Sequence, residues 1–186
     1  MKRTLLLAAL LLASCRSPEP SFFTLAAVRG TAQRGGPALV ELRRPGIAGY
    51  LDRSEIVRAN SPYQLQMQSG ERWGEPFADM VARVLAEDLS SRLPGTSVFT
   101  STGSISANAG ATVELDLQKL DAGPSGQVQL LGQVAVTRGR ALGASRAETI
   151  RLAVTPAGNT TSDYVAAMSV ALGQAADEIA ALLRQR

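Results

Sequence analysis

Hydrophobic and polar positions alternate along this chain in two periods, and the switches between them outline its elements. Strict alternation, the signature of a strand with one buried face, runs through Tyr63, Leu65 and Met67 against Gln64, Gln66 and Gln68. It returns in Val113, Leu115 and Leu117 against Glu114, Asp116 and Gln118. Val128, Leu130, Val134 and Val136 alternate with Gln127, Gln129, Gln133 and Thr137, and Ile150, Leu152 and Val154 with Thr149, Arg151 and Ala153. Turn-forming residues at 122–126 and 139–144 separate these last three runs, which predicts an antiparallel meander with one apolar face. Shorter β-favouring runs at residues 22–25, 38–42, 56–57 and 98–100 predict further strands, with a turn at Pro45-Gly46 and a loop over 101–111.

Spacings of three and four residues take over in two places. Phe77, Met80, Val81, Val84, Leu85 and Leu89 predict a helix over residues 76–93, with Pro76 in the first helical position and Leu93-Pro94-Gly95 ending it. Tyr164, Met168, Ala171, Leu172, Ala175, Ile179, Leu182 and Leu183 mark a second helix, which Ser162 is placed to cap. One-sided strands with two amphipathic helices predict an α+β fold of two layers, a mostly antiparallel sheet covered by the helices.

The N-terminus follows a different logic. Lys2 and Arg3 precede an apolar run over residues 5–13, and Leu12-Ala13-Ser14-Cys15 has the small residues and the Cys of a bacterial lipobox. The expected organisation is a signal peptide over 1–14, a lipidated tether over 15–20 and a single domain over 21–186. Cys15 would carry a covalent diacylglycerol and a further acyl chain, and several chains together anchor a protein durably. The apolar run is too short to span a bilayer, and no later run is expected to cross one.

Charge and composition narrow the function. Removing residues 1–14 takes away two of the 19 basic residues and none of the 16 acidic ones, leaving a net charge of +1. Such a balance argues against a nucleic-acid partner, which demands clustered positive charge. The chain contains no His, which removes Ser-His-Asp and Cys-His catalysis and the commonest metal ligand. With its one Cys acylated, no disulfide, no metal and no other cofactor is expected. The acidic pairs Glu114/Asp116, Glu87/Asp88 and Asp177/Glu178 are read as solvated faces and not as acid-base couples, and no phosphate-cradling Gly loop is present. No catalytic residue is assigned.

Two dense stretches remain as candidate partner contacts or structural motifs. Tyr50-Leu51-Asp52-Arg53 packs aromatic, apolar and charged groups together, with Asp52-Arg53 readable as a partner contact or as a local ion pair. Trp73, with Glu75 and Pro76 behind it, stands at a helix entry, either as part of a lipid or partner pocket or as a core aromatic setting the helix direction.

The lipobox, Phe22-Phe23-Thr24-Leu25, Tyr50 to Arg53 with Glu55-Ile56-Val57, and Arg72 to Pro76 leading into residues 85–89 form an ordered set. As such a set they resemble the auxiliary lipoproteins of ABC-type and PqiABC-type lipid transport systems. That resemblance implies a non-catalytic lipoprotein of the outer membrane facing the periplasm. Its partners would be a tunnel-forming MCE-domain protein, inner-membrane transporter subunits and phospholipid. A docking or exit subunit for a tubular partner also implies a homo-oligomer, in the form of a ring. The alternative is a structural envelope lipoprotein that moves no lipid.

Overall fold

A computed structural model describes residues 19–139 and 145–185. The signal peptide, Cys15 and most of the tether, part of the turn at 139–144, and Arg186 lie outside the described residues. Among the described residues, nine strands and two helices follow in the order β1 (Ser21–Phe23), β2 (Leu39–Leu42), β3 (Gly46–Ile47), β4 (Glu55–Ser61), β5 (Gln64–Trp73), α1 (Phe77–Arg92), β6 (Ser97–Thr100), β7 (Ala111–Ala122), β8 (Val128–Arg138), β9 (Ser145–Val154) and α2 (Thr161–Arg184).

Strand β7 organises the sheet. One of its edges pairs antiparallel with β8, which pairs antiparallel with β9, and this is the predicted meander. Three short segments line its other edge in succession, all parallel to it: β2 beside residues 111–113, β3 beside 116–117, and Arg58 of β4 beside Ala122. From this edge the sheet forks. β2 continues into β6, while β4 continues through its antiparallel partner β5 to β1. The long pairings are antiparallel, so the sheet is mostly antiparallel, with the parallel ones short.

A β-bulge at Gln118 keeps the apolar alternation in phase. Residues 111, 113, 115 and 117 face inward, the register against β8 slips by one between Leu117 and Lys119, and Leu120 and Ala122 then face inward too. Gly132 sits opposite this bulge, where an added Cβ would lie 2.9 Å from the Asp116 carbonyl oxygen. Both helices cover the inner face. α2 lies across β8 and β9 and packs on α1, which adjoins β6. Val81, Val84, Leu85 and Leu89 from α1 and Met168, Leu172, Ile179 and Leu183 from α2 are essentially solvent-free against the sheet. Each such side chain contributes about 1.5–3 kcal/mol of burial.

Several details differ from the sequence reading. Thr160, not Ser162, caps α2: its Oγ1 accepts the Asp163 N–H at 3.2 Å, while Asp163 Oδ2 accepts the Thr160 N–H at 3.0 Å. Pro76 is the N-cap of α1 and not its first helical residue; its carbonyl accepts the Met80 N–H at 3.0 Å. Gly46, expected in a turn, is in β3, and Leu25 lies beyond β1. Helix α2, at 24 residues, is long and apolar enough to cross a membrane, contrary to expectation, but 67% of its apolar window is buried in the fold. Tyr63, Leu65 and Met67, expected on a half-buried face, are 98%, 49% and 55% exposed, because the helices leave the outer part of the β4–β5 hairpin uncovered.

Candidate functional site

The motifs singled out in the sequence meet at one corner of the sheet. Trp73 at the end of β5 donates its N–H to the Ser54 carbonyl at 2.8 Å, and Gly74 donates to the Phe23 carbonyl at 2.8 Å. Phe22 and Phe23 pair in parallel with Arg72 and Trp73. The loop before β4, the end of β5 and β1 are thereby fastened together just where the chain turns into α1.

Within the loop, the Ala48 carbonyl accepts N–H groups from Leu51 at 2.8 Å and Asp52 at 3.3 Å. This tight turn drives Leu51 into the core and leaves the half-buried Tyr50 directed at β7. The Tyr50 hydroxyl donates to Asp121 Oδ2 at 2.8 Å. Asp121 is buried, and Lys119 Nζ stands 3.8 Å from its other oxygen. Burial, followed by the hydrogen bond and charge of Asp121, holds the Tyr50 pKa above its ordinary value. Burial likewise raises Asp121, against the opposing pull of Tyr50 and Lys119. Tyr50 therefore stays protonated and serves as a donor that pins the loop to the sheet. Lys119 also donates to Gln129 at 2.8 Å, and with Gln129, Leu131, Arg151 and Ala153 it borders a shallow depression of about 450 Å³ on the face away from the helices.

Asp52 and Arg53 are exposed, and no ion pair joins them; Arg53 reaches Met67 instead, Nη1 lying 3.1 Å from Sδ. Trp73 is buried in the core, its ring centroid 5.0 Å from that of Phe77. Glu75 accepts from Arg83 Nη2 at 2.5 Å, which ties the helix entry to the second turn of α1. Cys15 lies outside the described residues. Among the carboxylates read as solvated, Glu114 and Asp116 are exposed, Glu114 pairing with Arg43 at 2.9 Å. Among the described residues no cluster of three or more His, Cys, Asp or Glu could hold a metal.

Asp88 and Asp177 were not foreseen in their roles. Arg92 is buried between the helices, with Nε 2.6 Å from Asp177 Oδ1 and Nη1 donating to the Val28 carbonyl at 2.8 Å. Asp88, also buried, accepts the Val28 N–H at 2.7 Å and lies 3.7 Å from Arg92. Burial pushes Asp88 up to about 6, although the Val28 N–H and Arg92 pull it down. The cluster clamps the segment after β1 into the groove between α1 and α2. Gly30 is required there, since a Cβ would lie 2.4 Å from Arg92 Cζ. The signal was present in the sequence: Asp88 and Arg92 are four residues apart and interleave with Leu85 and Leu89 on the apolar stripe.

No match is found among curated proteins. A crystal structure of an uncharacterised protein superposes with a TM-score of 0.72 at 17% identity, covering 89% of this chain and 99% of its own. A Xanthomonas campestris protein of the DUF330 family gives 0.65 at 16% identity, covering 88% and 94%. These likenesses show a shared fold. Residues 23–180, which contain most of the corner, all of α1 and most of α2, match the family described as the ABC-type transport auxiliary lipoprotein component, and the chain belongs to that family.

Proposed function

We propose that this protein is the outer-membrane lipoprotein subunit of an MCE-type intermembrane lipid transport system. Cys15 holds it by a diacylglyceryl group and an acyl chain in the periplasmic leaflet, and the domain serves as a docking or exit platform for a tunnel-forming MCE-domain protein. The family match over residues 23–180 carries this reading, with the lipobox ending at Cys15 in support. The protein acts by binding and geometry, without catalysis, a reading supported by a chain without His in which the buried Asp88 and Asp121 are engaged in structural clamps. Its subunits assemble as a homo-oligomeric ring that fits a tubular partner.

The test is a pull-down of the mature protein from its native envelope, with mass spectrometry of the associated proteins and lipids. Recovery of an MCE subunit is the expected result, and co-purified phospholipid extends it to direct lipid handling. Recovery of neither from folded protein, with unchanged lipid distribution on deletion, assigns the chain a purely structural role in the envelope. Cys15→Ser is expected to release the protein from membranes, because the acyl chains supply the anchoring energy.

A further inference from the structure

The β4–β5 hairpin combines three features that no packing requirement explains. Residues 59–70 carry no Asp, Glu, Lys or Arg, in a chain where 19% of residues are charged. Tyr63 at the tip and Leu65 and Met67 on β5 are all exposed, and Phe22 on the adjoining β1 is 65% exposed. Isolated exposed apolar residues are ordinary, but here three of the five large ones among the described residues belong to this one hairpin and a fourth, Phe22, to the strand beside its base. The base of that unit is bolted to the start of α2: Arg58 donates to Thr161 Oγ1 at 2.5 Å and lies 4.0 Å from the Tyr164 ring centre, and Thr161 donates to Glu71 at 2.6 Å. The hairpin is therefore held in a fixed direction.

That direction is the one in which the chain leaves β1 toward the N-terminus. β1 runs parallel to β5, with Ser21 beside Glu71, so the chain before Ser21 leaves toward the hairpin tip. Six residues, 15–20, separate the anchor position from the fold, and fully extended they span about 20 Å. The strand from Glu71 back to Gln64 covers about 23 Å at the usual rise. A tether continuing the line of β1 ends nearly level with the tip, which brings the tip to the surface in which Cys15 is embedded.

We propose that the β4–β5 hairpin is a membrane-contact element. It lies against the bilayer that carries the protein's own acyl anchor, with Tyr63 leading, Leu65 entering the interface, and Met67, contacted by Arg53, at headgroup depth. An uncharged tip carries no charge to desolvate, and β4 and β5 satisfy the backbone groups between them, while those on their outer edges keep their hydration at headgroup depth. Tyr is suited to the boundary between headgroups and acyl chains, with an apolar ring and a polar hydroxyl. The proposal shares the Cys15 anchor with the function proposed above, but not the transport partner.

The experiment uses acylated full-length protein in vesicles of phosphatidylethanolamine and phosphatidylglycerol, with acylation of Cys15 verified by intact mass. Because the chain has one Cys and its sulfur is acylated, Tyr63→Cys, Leu65→Cys and Ala181→Cys each introduce a single free thiol for an environment-sensitive fluorophore. The expected result is a blue shift and quenching by lipid-borne nitroxide at positions 63 and 65, and quenching by aqueous iodide alone at position 181, near the far end of α2. Iodide quenching alone at 63 and 65 overturns the proposal. So does protection from both quenchers, with crosslinks between copies then assigning the face to a second copy of this chain. The vesicles contain no transporter, so neither outcome depends on the transport reading.

Discussion

Replacing Arg92 with Met keeps most of the side-chain volume but removes the cation between the helices. Three losses follow. The Val28 carbonyl loses its donor, at about 1 kcal/mol, and Asp177, whose side chain is 46% exposed, loses a partner worth no more than about 1 kcal/mol after solvent screening. Asp88 is left buried without a cation and takes up a proton. With its folded-state pKa at about 6 in the wild type, that proton costs about 1.4 kcal/mol at pH 7 and about 2.7 at pH 8, and nothing below pH 6. The substitution should therefore cost about 2 kcal/mol at pH 6, about 3 at pH 7 and nearly 5 at pH 8. The wild type has the matching sign. A carboxyl raised from 3.8 to about 6 by folding binds a proton on folding between those values, so Asp88 makes the protein more stable as pH falls from 7 toward 4. Urea denaturation of mature Cys15→Ser protein, followed by fluorescence of the single and buried Trp73, measures both effects. A cost below about 1 kcal/mol, or one that is flat between pH 6 and 8, would refute the reasoning.

Gly30→Ala pushes a methyl group into the Arg92 guanidinium and should destabilise by about 1–3 kcal/mol; in a double-mutant cycle with Arg92→Met its cost should shrink, since both changes act on one contact. Tyr50→Phe deprives buried Asp121 of its hydroxyl donor and should cost about 1–3 kcal/mol in the same urea assay, with an unchanged midpoint counting against the clamp. Thr160→Ala removes a capping box from α2 and should cost about 1 kcal/mol, whereas Ser162→Ala should be close to neutral. Leu65→Gln with Met67→Gln should leave the urea midpoint nearly unchanged, because both side chains are already about half exposed; a large loss would show that the hairpin is part of the core.

What could be read from the sequence follows from how local each signal is. Helices α1 and α2 and the β7–β8–β9 meander declare themselves because their apolar period is set within one segment and their strand neighbours are consecutive. The parallel partners of β7 were invisible for the opposite reason. β2, β3 and β4 are only two to seven residues long, and their positions along β7 are fixed by a strand that comes fifty or more residues later, so nothing local encodes the register. The alternation in residues 63–68 was read correctly as a strand face, but periodicity shows that a face is apolar and not what covers it. Ser162 and Thr160 illustrate the limit of cap assignment: both precede the apolar stripe, and the Asp three residues after Thr160 decides between them. In sequence Asp88 stands beside Glu87 as half of an acidic pair on a solvated face, whereas the relevant partner on a helix is four residues away, at Arg92.

The position of the clamp relative to the tether gives it a mechanical meaning. Any force on an acylated Cys15 enters the fold through β1, whose three residues pair with the end of β5. Such a short parallel ladder would fray under load by itself. Immediately behind it, Leu25 donates its N–H toward Met80 Sδ at 3.2 Å, Ala26 donates to Ser169 Oγ at 3.1 Å, and Val28 is held through its N–H by Asp88 and through its carbonyl by Arg92. Further on, the Gln33 N–H reaches the Arg92 carbonyl at 2.7 Å and Arg184 reaches the Arg34 carbonyl at 3.0 Å. The strap thus contacts α1 and α2 alternately along its length, so pulling it out requires the two helices to part and not merely one edge strand to peel. A charged cluster that adds little net stability as a whole, although losing one partner is costly, is then explained by where it stands, at the point where the anchor segment joins the two helices that supply half of the buried apolar residues among those described.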